Sequence, residues 1–209
     1  MTAIIDYGVG NLFSLRSSLE FIGERAAVTR EAGDIRGADR VILPGVGAFG
    51  DAADKLNESG LRGVVLETAA AGKPLLGICL GMQLLFDRGF EYGEHRGLGL
   101  IPGEVVPIGS VVPESCKIPH IGWNALKFPE GREKSPIFKY TNAGDCVYFV
   151  HSFYGASPSG GLPEDTAATA EYGAELTAAV ARGSVYGTQF HPEKSGGVGL
   201  GILKAFCEL

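Results

Sequence analysis

The sequence predicts an α/β fold: an open, mostly parallel sheet flanked by helices, with an antiparallel extension. Three observations lead there. Up to about Leu98, short apolar runs closed by Gly or Pro alternate with stretches of helical period, the pattern of strand–helix–strand units. Beyond it, apolar runs follow one another across Gly/Pro turns with no helix between, as in antiparallel pairing. At 209 residues, with 45% apolar and 20% charged side chains, the chain suits a globular protein. A single domain over residues 1–209 is expected.

Ala3-Ile4-Ile5 reads as the first strand, broken at Asp6-Tyr7-Gly8-Val9-Gly10. Asn11 can cap a helix whose Leu12, Leu15, Leu19 and Ile22 share one face and which stops at Gly23. Ala26-Ala27-Val28 is a weak strand and Arg40-Val41-Ile42-Leu43 a strong one, closed by Pro44-Gly45. Helices follow over Asp51–Asn57 and Leu61–Ala71, then a strand at Leu75 that leads into Cys79, with apolar residues at helical spacing continuing to Phe86. Later strands are expected at Glu104–Val106, Gly122–Phe128, Cys146–His151, Thr166–Glu171, Ala178–Ala181 and Val185–Phe190, with a last helix over Gly199–Leu209. Ser157–Pro163, rich in Ser, Pro and Gly, reads as a surface turn.

A net charge of −6 argues against nucleic-acid or anionic-membrane partners. The four cysteines, Cys79, Cys116, Cys146 and Cys207, are widely and irregularly spaced. The first residues carry no export signal and no apolar run is long enough to span a bilayer, so a cytoplasmic protein with free thiols is expected. The 32 glycines are about twice the usual share of ~7%, and many fall in short loops where a small ligand can approach closely.

The chemistry concentrates at Gly77-Ile78-Cys79-Leu80-Gly81. A buried strand entering Gly-x-Cys-x-Gly and leaving as a helix has the layout of a nucleophile elbow, with cysteine in place of serine. The glycines allow a turn in which a Cβ would collide, and unpaired N–H groups of the following helix favour the thiolate nucleophile. Such a nucleophile needs a base. His191 ends an apolar strand in Gln189-Phe190-His191-Pro192-Glu193, and in an extended segment Glu193 would point to the same side and orient the imidazole. His95 reads as a solvated loop residue, and His120 and His151 as hydrogen-bonded or lining residues. The histidines and cysteines lack metal-ligand spacing, so no metal or cofactor is expected. Oxyanion donors are expected from the N–H of Leu80 and from the loop Pro44–Gly50. That loop also matches G-x-G-x-x-G, but it follows the third strand and places Asp51 where a pyrophosphate would sit, against a dinucleotide.

Together these stretches resemble the triad (class I) glutamine amidotransferases, whose fold is flavodoxin-like. Asp6–Leu12, Leu43–Phe49, Gly77–Gln83, Pro119–Asn124, Tyr148–Ser152 and Gln189–Ser195 match in order over nearly the whole chain. The elbow and His-Pro-Glu belong to the wider group. The first motif, Gly122-Trp123-Asn124 and Glu193-Lys194-Ser195 favour the glutaminases of imidazole glycerol phosphate synthesis. The resemblance implies Cys79, His191 and Glu193 as catalytic triad, Val46 or Gly47 with Leu80 as oxyanion hole, and Gly47 and Gln83 as holders of L-glutamine. It also implies a heterodimer with a (β/α)8 cyclase that consumes the ammonia, with Asn11, Trp123, Tyr148 and Lys194 facing that partner.

Overall fold

Apolar runs in the first half of the chain become the centre of a sheet covered on both faces. The computed structural model describes residues 1–209. In chain order the elements are β1 (Thr2–Ile5), α1 (Leu12–Phe21), β2 (Ala26–Thr29), α2 (Ala32–Gly37), β3 (Arg40–Leu43), α3 (Phe49–Glu58), α4 (Leu61–Ala70), β4 (Leu75–Ile78) and α5 (Leu80–Leu84). They continue with β5 (Phe86–Gly89), β6 (His95–Arg96), β7 (Ile101–Pro107), β8 (His120–Lys127), β9 (Cys146–His151), β10 (Phe153–Ala156), β11 (Thr166–Glu171), β12 (Glu175–Arg182), β13 (Val185–Thr188) and α6 (Gly196–Cys207).

Nine strands form the main sheet in the order β2-β1-β3-β4-β13-β12-β11-β8-β9. From β2 to β13 the neighbours are parallel, and from β13 to β9 every pairing is antiparallel. Residues alternate between two cores. Ala3, Ile5, Val41, Leu43 and Leu75 pack with α3 and α4, whereas Ile4, Ile42, Leu76 and Ile78 pack with Leu15 and Leu19 of α1 and Ile202, Leu203 and Phe206 of α6. Burial on both faces is why these strands read as unbroken apolar runs.

Three expectations need correction. Glu104–Val106 does not join the main sheet: it lies in β7, part of a second sheet ordered β10-β7-β5-β6. The helix after Cys79 stops at Leu84, and Phe86 opens β5. The reason is tertiary. The fully buried Phe86 ring fills the space above Gly155, where a Cβ would lie 2.3 Å from its tip, so Phe86 belongs to the second sheet's core. Finally, His95 is no solvated loop residue: it is half-buried in β6, its ring against Gly50 of α3.

The parallel half positions the site. The loops after β1, β3, β4 and β13 all leave the carboxyl edge of the sheet, where ligands of open α/β sheets bind. They carry Asp6–Asn11, Pro44–Ala48, Cys79 and Gln189–Glu193. Motifs far apart in sequence therefore meet at one edge.

Candidate active site

Cys79 has φ +54° and ψ −112°, a strained conformation for a residue with a Cβ. Backbone collisions enforce it. A Cβ on Gly81 would lie 1.9 Å from the Leu43 carbonyl oxygen, and one on Gly77 would lie 2.6 Å from the Gly81 carbonyl oxygen. Only glycine at both positions lets the turn fold back onto β3, and Cys79 is left at its tip. With five residues, α5 is too short for a large macrodipole. Its contribution at the sulfur comes from its first N–H groups.

His191 and Glu193 lie opposite, and their side chains are both 3% exposed. His191 Nδ1 is 2.8 Å from Glu193 Oε1. The pairing is as expected but the route differs: the strand ends at Thr188 and a 3-10 turn over Pro192–Lys194 swings Glu193 back. Burial works against a charge on His191. Its interactions with Cys79 and Glu193 outweigh burial and push its pKa up to about 9. The His191 backbone is held on both sides: its N–H donates to the Tyr148 carbonyl at 3.0 Å, and its carbonyl accepts from Ser195 Oγ at 2.7 Å and from the Lys194 N–H at 3.0 Å. Ser195 Oγ in turn accepts from the Tyr148 N–H at 3.0 Å.

Cys79 and His191 line one cavity of about 390 Å³, within the usual size for a small-molecule site. Val46, Gly47, Leu80 and Gln83 line it too, with Glu91, Pro119, His151, Phe153 and Lys194. The N–H groups of Val46 and Gly47 donate to no acceptor within the chain, and that of Leu80 opens α5 without an intrahelical partner. Gln83 is partly committed already: its Nε2 donates to the Phe153 carbonyl and to Gln189 Oε1, each at 3.0 Å. Its Oε1 alone remains for a ligand.

Two residues at the site were missed from sequence. Gln189 is fully buried, with its Nε2 3.8 Å from Cys79 Sγ. Its signal was available, since it stands two positions before His191 at the end of a strand. Glu91 Oε2 accepts from the Phe49 N–H at 2.8 Å and places a carboxylate in the cavity wall. Nothing local in Phe90-Glu91-Tyr92-Gly93 marks it.

His151 and His120 are lining and hydrogen-bonded residues. His151 Nδ1 donates to the Phe153 carbonyl at 2.8 Å, and its Nε2 is 3.0 Å from His120 Nδ1. His120 Nε2 reaches Asn124 Oδ1 at 2.8 Å, and the ring stacks on Tyr172 with centroids 3.9 Å apart. Burial, with the charges of His120 and His191, pushes the His151 pKa down to about 4, and burial also lowers that of His120. Neither can replace His191 as a base held beside a carboxylate.

Trp123, Tyr148 and Lys194 come together next to the cavity. Trp123 and Tyr148 are cross-strand partners in β8 and β9 with ring centroids 6.0 Å apart, and Lys194 Nζ lies 5.8 Å from the Tyr148 ring. Trp123 is 55% exposed, and Ile121 and Ile118 are exposed nearby in sequence. Asn11 is at the start of α1, where its side chain accepts the Ser14 N–H at 3.4 Å. No metal-binding cluster is present and no helix is long and apolar enough to cross a membrane.

A cysteine on a strained elbow, a histidine–glutamate pair and free backbone donors at the carboxyl edge of an α/β sheet define a class: cysteine-dependent acyl-transfer enzymes of triad type. The family model for class-I glutamine amidotransferases matches residues 3–208, and the chain belongs to that family. Its relatives include an imidazole glycerol phosphate synthase subunit HisH from Wolinella succinogenes, 46% identical over the whole of both chains. The HisH subunit from Lacticaseibacillus casei is 47% identical over 100% of this chain and 96% of its own length. Among solved structures, a glutamine amidotransferase superposes with a TM-score of 0.72 at 18% identity, covering 98% of each chain. PurLQS from Thermotoga maritima does so at 0.72 and 19%, covering 99% of this chain and 97% of that one. At such identities these two structures speak for the fold alone.

Proposed function

We propose that this chain, as a single amidotransferase domain, is the glutaminase subunit of an imidazole glycerol phosphate synthase. It hydrolyses L-glutamine to glutamate and ammonia and passes the ammonia to a cyclase. The single observation that carries the chemistry is Cys79 at the elbow tip, sharing a cavity with a His191 already paired to Glu193. The full-length HisH relatives support the choice of synthase.

The Cys79 thiolate attacks the amide carbon of the substrate side chain. The resulting oxyanion is held by the Leu80 N–H and by that of Val46 or Gly47. His191, protonated at neutral pH, gives its proton to the departing nitrogen as the C–N bond breaks, releasing ammonia and leaving a thioester. Acylation removes the negative charge on sulfur that had favoured the imidazolium, so the proton affinity of His191 falls just when a base is required. It then takes a proton from water, which attacks the thioester, releasing glutamate and regenerating the Cys79 thiolate beside a protonated His191. Glu193 keeps Nδ1 protonated and the ring aligned. Gln83 Oε1, Gly47 and the Glu91 carboxylate hold the substrate, Glu91 suiting its α-ammonium group.

The partner is a (β/α)8 cyclase in a heterodimer, docked where Trp123, Tyr148 and Lys194 cluster, with Asn11 at its edge. The test is to assay the complex with either nitrogen source. Cys79→Ala is expected to abolish glutamine-dependent synthesis and to leave synthesis from added ammonium intact. Loss of both activities would assign Cys79 a structural role, and a cyclase that leaves glutaminase turnover unchanged would overturn the choice of synthase.

A further inference from the structure

We propose that Tyr7 is a positioning residue that fixes the root of the oxyanion loop, an inference that rests on the glutaminase reading above. The loop after β1 carries one of the motifs that set this chain apart, and Asn11 leaves most of that loop without a task. Tyr7 is only 4% exposed, and its phenol donates to the Pro44 carbonyl at 2.8 Å. The same hydroxyl lies 3.0 Å from where a Cβ on Gly45 would stand. Gly10 also closes on the Pro44 ring, where a Cβ would be 3.1 Å away. The β1 loop therefore holds the first residue of Pro44–Gly47 at two points, its carbonyl by Tyr7 and its ring by Gly10.

The consequence follows from peptide planarity. The Pro44 carbonyl and the Gly45 N–H belong to one rigid unit, so a bond to the first sets the direction of the second. Gly45 also lies against the elbow, its Cβ position 2.7 Å from the Gly81 nitrogen. Beyond it the support ends: Val46 is 42% exposed and Gly47 has φ +99°. The loop thus has a fixed root and a free tip. Tyr7 determines where the tip begins, and hence whether the Val46 and Gly47 N–H groups can point at an oxyanion formed on Cys79. Burial and the nearby Cys79 both raise the proton affinity of the phenol, so it remains a donor at any working pH.

Tyr7→Phe removes the hydroxyl and keeps the ring. Two rates should be measured on the complex with the cyclase: steady-state glutamine hydrolysis, and alkylation of Cys79 by iodoacetamide. Alkylation displaces iodide at a saturated carbon and forms no oxyanion, so it reads the nucleophile without the hole. The expected result is a kcat lower by about tenfold or more, below the ~100-fold for deleting an oxyanion donor. KM and the alkylation rate should stay within about twofold of wild type. An unchanged kcat overturns the inference, and so does a parallel fall in alkylation, which would mean that Tyr7 acts on the sulfur. 4-Aminophenylalanine at position 7 restores a donor and should recover part of kcat; no recovery overturns the inference. If the Phe variant does not fold, this second variant carries the test: a lowered kcat with unchanged alkylation supports the role, and any other result overturns it. Wild-type protein is the control that separates the two readings. No glutamine turnover with the cyclase present removes the glutaminase assignment and this inference with it, whereas normal turnover with an unaffected Phe variant removes Tyr7 alone.

Discussion

In the proposed mechanism Cys79 and Glu193 together hold the proton on His191, and the reaction removes the share that Cys79 supplies, which can be measured without turnover. In the free site His191 titrates near 9 instead of 6.5, against the effect of its own burial. That difference corresponds to roughly 3 kcal/mol at ~1.36 kcal/mol per unit. It is shared between Glu193, which survives substitution of the cysteine, and Cys79, which does not. Replacing Cys79 with Ala leaves an uncharged methyl group, as acylation leaves an uncharged thioester sulfur. A neighbouring opposite charge shifts a pKa by about 1–3 units, so the His191 pKa should fall by at least about one unit in Cys79→Ala. Titration of ring-labelled histidine by NMR, in wild type, Cys79→Ala and Cys79→Ser, reads it directly. Both variants should titrate well below wild type. If either still titrates near 9, Glu193 alone holds the proton, and the acid-to-base change proposed for the two half-reactions fails.

Two further predictions follow from packing and linkage. The substitution Gly→Ala should have opposite signs at two helical positions. At Gly81 the new Cβ would lie 1.9 Å from the Leu43 carbonyl, so a loss of more than about 3 kcal/mol is expected. At the exposed Gly63 in α4 nothing lies within 4 Å, and a gain of about 0.5–1 kcal/mol is expected. Urea denaturation of the two variants checks both signs. His151 binds its proton less tightly folded, near 4, than unfolded, near 6.5, so its contribution to stability is complete above about pH 6.5 and is lost as pH falls through 4. Wild-type unfolding free energy should therefore decline over that window by up to roughly 3 kcal/mol from this group. In His151→Gln the decline should be shallower, and an identical slope would show that His151 titrates normally.

How far the sequence could be read depended on whether a signal was local. Val41-Ile42-Leu43 and Leu75-Leu76 announced central strands because both faces are buried, and Cys146–His151 and Thr166–Glu171 matched their strands to the residue. In contrast, β5 and β6 are four and two residues long and carry Asp87, Arg88 and Arg96, so no apolar period marks them. Leu84-Leu85-Phe86 suits either a helix or a strand, and only the packing of Phe86 against Gly155 decides. Short α2 escaped notice because Gly33 and Gly37 dilute it and Ile35 is its one buried residue.

The site divides along the same line. Gly77, Cys79 and Gly81 lie within five residues, so the collisions that shape the elbow are visible as a spacing. His191 and Glu193 are two apart, so their pairing was legible although a 3-10 turn replaces the extended segment assumed for it. Glu91 and Tyr7 act across 42 and 37 residues, on the Phe49 N–H and the Pro44 carbonyl. No spacing rule reaches that far. Both contacts fall on the segment that runs from β3 through the oxyanion loop into α3: Tyr7 at its root, Glu91 where the helix begins. The nucleophile is therefore fixed by backbone shape that the sequence displays locally. The loop proposed to receive the oxyanion is held by two distant side chains, and on that proposal a partner that displaces either one is expected to change turnover without touching Cys79, His191 or Glu193.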